Sequence, residues 1–311
     1  MNTLALVTEQ GRILVGTCNW ADHKDFYPRG LPASQRLSHY ARFFPIVEVD
    51  TTFYGIAKPA VAERWATSTP EGFLFNVKAY RSLTLHERED GRPREATEEE
   101  ERDFMALLKP LRDAGKLRAV HYQFPPWFTA NPKNMDYISR LPGRHPQDRL
   151  IVEFRHRSWS EPGRFDAVTE LLEEARMTYC VVDQPQLGSA SMAPHLAVTT
   201  PDLAVLRMHG HNYKTWYKKG ETSADRFDYL YPEEELLEWV PRLRRMADRA
   251  SEVHVLFNNN RSNYAVVNGL QMGQLLDLGL PPPDSIARPA EREQTELPLG
   301  PPAGGRRRAR P

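Results

Sequence analysis

The chain has 311 residues and a mass of 35.7 kDa, and 40% of its residues are hydrophobic, enough for one large domain or two ordinary ones. Its 41 basic and 41 acidic residues cancel, which excludes a whole-chain field that would announce a nucleic-acid or membrane partner. Two cysteines, Cys18 and Cys180, exclude a disulfide framework and point to a reducing compartment.

The opening "MNTLALVTEQGRILVG" lacks a basic start followed by a long apolar run, so no signal peptide is expected. No apolar stretch is long enough to cross a bilayer, and the expected location is cytoplasmic, without a membrane partner. Short apolar runs then recur in chain order. They are Ile13–Thr17, Ile46–Asp50, Phe73–Ala79, Ala119–Phe124, Leu150–Phe154, Thr178–Asp183, Leu203–Gly210 and Val253–Asn258. Their length and β-branched content predict strands. Helical periodicity falls between them at Ala60–Ser68, Glu98–Arg112, Arg164–Arg176, Glu233–Arg249 and Asn263–Leu278. Gln184–Pro201 is weaker and predicts at most a short helix. Leu83–Ala96 and Asn212–Leu230 read as loops.

Strand–helix alternation predicts βαβ units and a parallel sheet. Eight strands ending near Leu280 predict an α/β fold, a TIM-like (β/α)8 barrel over residues 1–280. An open doubly wound sheet is the alternative, but no Gly-rich phosphate loop follows the first strand. Residues 281–311 hold eight of the 26 prolines, with six Arg against four acidic residues and no apolar periodicity. They read as a flexible Pro/Arg-rich tail.

Active sites of such barrels form at the C-terminal strand ends. With one face of each run against the helices, the other collects Glu48, Asp50, Asn76, Lys78, His121, Gln123, Glu153, Arg155, Asp183, Arg207, His209 and Asn258. Glu153 and Arg155 are costly to bury unless opposite charges converge on the axis. A mutually neutralising ion network without chemistry is the bland alternative. Trp20, Phe53, Tyr54, Trp127, His156, Trp159 and Tyr213 in the following loops suit a ring-bearing ligand.

No metal motif is secure. His121, His209, Glu153, Asp183 and Glu48 offer nitrogen and oxygen ligands, but no tight pair occurs, so the cofactor is unknown and a divalent metal stays open. The interior cations Lys78, Arg155 and Arg207 would compete for the same carboxylates and suit an anionic ligand better. Cys18, at the end of its strand, reads as a small buried residue. Cys180 reads as structural, near the barrel bottom.

The blocks "VGTCNW", "FYPRGLP", "VEVDTTFYG", "ERWATSTPEGFLFNVKA", "QFPP", "VEFRHRSW", "LRMHG" and "FNNN…YAVVNGLQM" occur in order between about Val15 and Leu276. In them the chain resembles the domain of unknown function numbered 72, also called YecE-like. That resemblance implies a TIM-like barrel, similar in fold to the endonuclease IV and xylose isomerase group, and implies no known reaction. Family members usually carry Ser-Gly where this chain has Cys18-Asn19. The three-zinc, histidine-rich set of endonuclease IV is not matched here.

The leading expectation is an enzyme, a hydrolase or lyase, acting at a phosphate or deoxyribose of DNA or a nucleotide. Lys78, Arg155 and Arg207 would hold the anion, with Glu48, Asp50, Gln123, Asn258, Trp20, Tyr54 and Trp159 around it. Glu153 would be the general acid or base, with His209 or Asp183 as its partner. The alternative is a metal-free carbohydrate or sugar-acid enzyme using Glu153 and Glu48 as a carboxylate pair. The third is a non-catalytic, clamp-associated binding protein. It arises because "QTELPL", Gln294–Leu299, resembles the Gln-x-x-Leu-x-Leu/Phe peptides with which DNA-repair and replication proteins bind the bacterial sliding clamp. A peptide covering Glu291–Gly300 should therefore bind a sliding clamp with a dissociation constant of about 1 μM, or about −8 kcal/mol. Replacing Gln294, Leu297 and Leu299 by Ala should abolish that binding in a titration.

Overall fold

The computed structural model describes residues 10–214, 216 and 226–286. Gln294, Leu297 and Leu299, and with them the clamp-type peptide, lie outside the described residues. Eight parallel strands run through the expected segments. They are β1 (Arg12–Cys18), β2 (Ile46–Val49), β3 (Leu74–Lys78), β4 (Leu117–Gln123), β5 (Leu150–Glu153), β6 (Thr178–Asp183), β7 (Ala204–Met208) and β8 (Glu252–Phe257). They close into a barrel in the order β1-β8-β7-β6-β5-β4-β3-β2. β1 seals it by pairing with β8 on one side and β2 on the other, where Cys18 stands opposite Glu48. Asp50 and Arg155 lie just past the ends of β2 and β5, in the loops of the C-terminal face.

The expected helices form at α2 (Pro59–Thr67), α3 (Glu98–Asp113), α6 (Phe165–Glu174), α7 (Glu233–Ala247) and α8 (Tyr264–Leu275), once α1 (Arg36–Tyr40), α4 (Pro132–Ser139) and α5 (Leu141–Arg144) are counted in chain order. α3 starts on a capping box. Glu100 N–H donates to the Thr97 hydroxyl and Thr97 N–H to the Glu100 carboxylate, and four Glu in the first turn favour the positive end of the helix dipole. α4 starts at Asn131-Pro132, with the Asn131 side chain accepting from Asn134 N–H. Leu83–Ala96 is more ordered than a charged loop. Asp90-Gly91, both at positive φ, turn a short antiparallel hairpin between Arg88–Glu89 and Arg92–Pro93. Gln184–Pro201 holds only one 3-10 turn, Gly188–Ala190. Among the described residues no helix is long and apolar enough to cross a membrane.

Alternation divides each strand between two environments. Phe75, Val77, Val120, Tyr122, Val152 and Phe154 are buried toward the helices. Their neighbours Asn76, His121 and Glu153, with Glu48, Arg207 and His254, are equally buried but face the axis. The apolar core is therefore the shell between strands and helices, and the barrel axis is polar. At its N-terminal end Glu252 takes Arg12 and Arg118, and passes to His254 at 2.7 Å and on to Asn76 at 3.0 Å.

Gly16 permits the close approach of β1 and β2, because a Cβ there would meet the Ile46 carbonyl oxygen at 2.2 Å. Gly16→Ala should therefore cost roughly 1–3 kcal/mol through forced backbone movement. Gly55→Ala, where a Cβ meets nothing within 4 Å, should cost far less. Thermal denaturation of the two variants checks the contrast.

Candidate functional site at the barrel mouth

Midway up the axis, Arg207 on β7 ties together two strands that are not its neighbours. One guanidinium nitrogen donates to Glu48 on β2 at 2.7 Å and another to Glu153 on β5 at 2.6 Å. His121 on β4 sits between the same carboxylates, with Nδ1 2.7 Å from Glu48 and Nε2 3.1 Å from Glu153. Arg207 also reaches the Cys18 sulfur at 3.3 Å, and the Cys180 sulfur lies 3.9 Å from Glu153. All these side chains are buried. Burial alone would raise both carboxyls. Arg207 and His121 around Glu48, and Arg155 and Arg207 around Glu153, outweigh it and hold both far below the ordinary carboxylate range. Burial pushes both thiols up, so neither cysteine is a poised thiolate.

One layer higher, Arg155 pairs with Glu153 at 2.5 Å and donates to the Gln184 side-chain oxygen at 3.2 Å. Its third contact is His209 Nε2, also at 3.2 Å, while the Asn258 amide lies 2.8 Å from Nδ1 of that ring. Burial, with Arg155 adding to it, lowers His209 to about 3, so the ring is neutral near pH 7 and both its nitrogens are engaged. Lys78 donates to the Gln123 side-chain oxygen at 2.9 Å and lies over the Phe53 ring at 4.6 Å. Among the described residues it forms no ion pair. Burial lowers its affinity for a proton, and Arg207 lowers it further. Asp50 follows directly on the Val49–Val77 register pair and so stands beside Lys78. Burial raises its carboxyl to about 6 against the opposing pull of Lys78.

An aromatic ridge borders these groups. Tyr54 packs edge-on to Phe53, Phe53 to His86, and His86 to Trp127, at centroid distances of 5.1, 4.8 and 5.8 Å. Arg88 of the hairpin lies over Trp127 at 4.5 Å. Tyr54 and Trp127 are 67% and 44% exposed, so both present ring surface at the mouth. On the far side Phe227 and Trp216 lean toward His209 at 5.8 and 6.3 Å. Arg226, exposed beside Phe227, is near enough for its charge to act on Arg155 and Tyr54.

The expected residues thus separate into groups. Glu153, Arg155, Arg207, Glu48, His209 and Asn258 come together, with Lys78, Gln123, Asp50 and Tyr54 above them. Arg207 is closed between two carboxylates, so it braces the site and is not free to take an anion. Asp183 faces elsewhere. Cys180 takes the interior phase of β6 and Tyr179 packs against Phe165 of α6. The Asp183 carboxylate therefore accepts from Tyr231 at 2.7 Å and pairs with His211 at 3.0 Å. Trp159 is wholly buried, stacked on Phe154 at 4.2 Å with its indole N–H donating to the Phe128 carbonyl, so it is core and not a ligand contact. Trp20 is half-buried against Trp65 of α2. Cys180 lies not at the barrel bottom but in the middle layer beside Glu153. His86 and Arg226 had no signal in the sequence, since only the folded loops bring them to the mouth.

His121, Glu153 and Cys180 place one ligand atom each within 4.8 Å of one another. The Arg207 guanidinium already donates to the Glu153 oxygen that a metal would need. A second cation there would be repelled at short range in a medium of low dielectric, so these residues do not fit a metal centre.

Glu153→Gln should leave Arg155 and Arg207 undercompensated and cost about 3–5 kcal/mol at pH 7. Carboxyls depressed by folding stabilise fully above the unfolded value of about 4.3, and that contribution fades as pH falls below it. The wild type should therefore lose stability steeply below about pH 4. The variant should start lower and fall less. Urea denaturation at pH 7 and pH 3 measures both slopes.

A family description, "Protein of unknown function DUF72", matches residues 14–293. The UPF0759 protein YunF of Bacillus subtilis (strain 168) is 35% identical over 269 residues, covering 86% of this chain and 95% of that protein. A crystal structure of a DUF72 family protein from Enterococcus faecalis V583 superposes with a TM-score of 0.78 at 27% identity, covering 87% of this chain and 97% of that one. Another from Thermotoga maritima MSB8 gives a TM-score of 0.74 at 32% identity, with 85% and 99% coverage. The barrel, the extent of the match and the identity to YunF agree, and the chain belongs to the DUF72 family.

Proposed function

We propose that this protein is an enzyme that takes a phosphorylated sugar or nucleotide at the barrel mouth and acts on it by proton transfer at Asp50, as a hydrolase or lyase. The observation that carries the reading is the set of three cations at the mouth, Lys78, Arg155 and Arg226, gathered around Asp50 and the Tyr54 ring. Of Lys78, Arg155 and Arg226, only Arg155 has an ion-pair partner among the described residues. Among the described residues, Arg155 Nε and Gln184 Nε2 are in addition buried donors without an acceptor. Donors of that kind are costly to bury and favour an anionic, oxygen-rich ligand. Arg155 and Arg226 would grip the phosphate, Lys78 and Gln123 would face the sugar, and the Tyr54–Trp127 ridge would take an attached ring.

The acid–base role moves from Glu153 to Asp50. Glu153 is held as a firm carboxylate, a weak base and no acid, whereas a carboxyl near 6 exchanges its proton at neutral pH. Glu153 instead orients Arg155, and His209 supports the same guanidinium. The carbohydrate reading with Glu48 and Glu153 as the carboxylate pair loses support. Both grip Arg207 and His121, so no glycosidic bond fits between them, and neither holds a proton to donate.

Arg226→Ala should weaken binding of inorganic phosphate by about tenfold, equal to about 1.4 kcal/mol, and leave the melting temperature unchanged because the side chain is exposed. Phosphorus NMR titration reads the affinity, which should also fall with added salt. Equal affinity in the variant would remove Arg226 from the site. Asp50→Asn should keep phosphate binding and lose turnover on phosphorylated sugars or nucleotides. A carboxyl raised by folding lowers stability as pH rises through its folded value of about 6. Asp50→Asn should therefore melt higher than the wild type at pH 8, with no gain at pH 4.

A further inference from the structure

We infer that Lys78 is a nucleophilic amine that forms an imine with the carbonyl carbon of an open-chain aldose or ketose phosphate. The inference rests on the phosphate-binding reading of the mouth and goes beyond it by naming the bond that forms.

Lys78 ends β3 at the C-terminal face, where its amine is only partly exposed. Among the described residues its Nζ has one polar partner, the neutral side-chain oxygen of Gln123, and an aromatic face, Phe53. A lysine that serves as a structural cation is normally set against a carboxylate. Here Glu48 is committed to Arg207 and His121 and Glu153 to Arg155 and Arg207, and the Asp50 carboxylate beside Lys78 forms no ion pair with it among the described residues. The charged groups that act on Lys78 are Arg207, Glu48, Asp50 and Glu153, and Lys78 in turn acts on His86. Burial and Arg207 disfavour the ammonium form against the pull of Glu48, Asp50 and Glu153, which makes the free amine more accessible than that of an ordinary lysine. Asp50, the first residue past the end of β2 and next after the register partner of Val77, supplies a proton carrier beside Lys78.

The atoms balance without a further reactant. The Lys78 ammonium gives one proton to the Asp50 carboxylate, and its lone pair attacks the carbonyl carbon. The C–N bond forms while the carbonyl π pair moves to oxygen, which takes the proton back from Asp50. The nitrogen then gives a second proton to Asp50, which passes it to the hydroxyl. That group leaves as water while the nitrogen lone pair closes the C=N bond. One ammonium and one carbonyl become one protonated imine and one water. The imine withdraws electrons from the adjacent carbon, so its C–H bond can give up a proton, and the electron pair left behind can expel an oxygen leaving group from the next carbon, the chemistry of a lyase.

Pyridoxal 5′-phosphate is a suitable probe because it joins an aldehyde, a ring and a phosphate. The full-length protein is treated with it at pH 7, reduced with sodium borohydride, digested and mapped by mass spectrometry. The expected result is modification of Lys78 ahead of the exposed Lys58 and Lys109. Inorganic phosphate should suppress it, and Asp50→Asn should slow it by about a hundredfold. Lys78→Arg keeps the charge and should bind phosphate normally while losing the label. Label spread over Lys58 and Lys109 with Lys78 unmodified, in protein that still binds phosphate, would overturn the imine alone. Failure to bind phosphate as well would overturn the reading on which it rests.

Discussion

The Arg207 bridge between Glu48 and Glu153 is the constraint on which the rest of the site depends. A guanidinium on the barrel axis cannot be left uncompensated, so two carboxylates from distant strands are drawn to it, and His121 closes the gap between them. Once Glu153 is fixed, Arg155 is fixed by pairing with its other oxygen, and Arg155 in turn positions His209 and Gln184. The electrostatic balance of the mouth follows. Both strong carboxylates are consumed below, and Lys78, Arg155 and Asp50 stand above them.

This division assigns different work to two levels of one barrel. The middle layer is a sealed network whose two carboxyls are held ionised. The layer above keeps its acid–base freedom, since burial raises the Asp50 carboxyl and lowers the proton affinity of Lys78 beside it. Glu153 is the more conspicuous residue in the sequence, but it is the less able to exchange a proton near pH 7.

Much of the fold was legible because its signals are local. Every apolar run became a barrel strand, and strand alternation correctly placed Glu48, Lys78, Glu153 and Arg207 inside. The reading failed where phase or loop geometry decided the outcome. In "TYCVVD" both phases are plausible, and the packing of Tyr179 on α6 sends Cys180 inward and Asp183 to Tyr231. Trp159 looked like a mouth residue until the turn after β5 folded it onto Phe154 and Phe128. The Asn131-Pro132 cap of α4 and the Asp90-Gly91 turn were present in the sequence as short-range signals. The convergence of His86, Trp127 and Arg226 was not, since three separate loops create it.

The central claim is that the mouth selects its ligand by a phosphate and not by a sugar alone. Thermal denaturation with ribose 5-phosphate and with ribose, at equal concentration and ionic strength, tests it most directly. The account predicts a rise in melting temperature with the phosphorylated sugar, because a ligand that binds only the folded state stabilises it, and no rise with ribose. Equal shifts, or none with either, would contradict it.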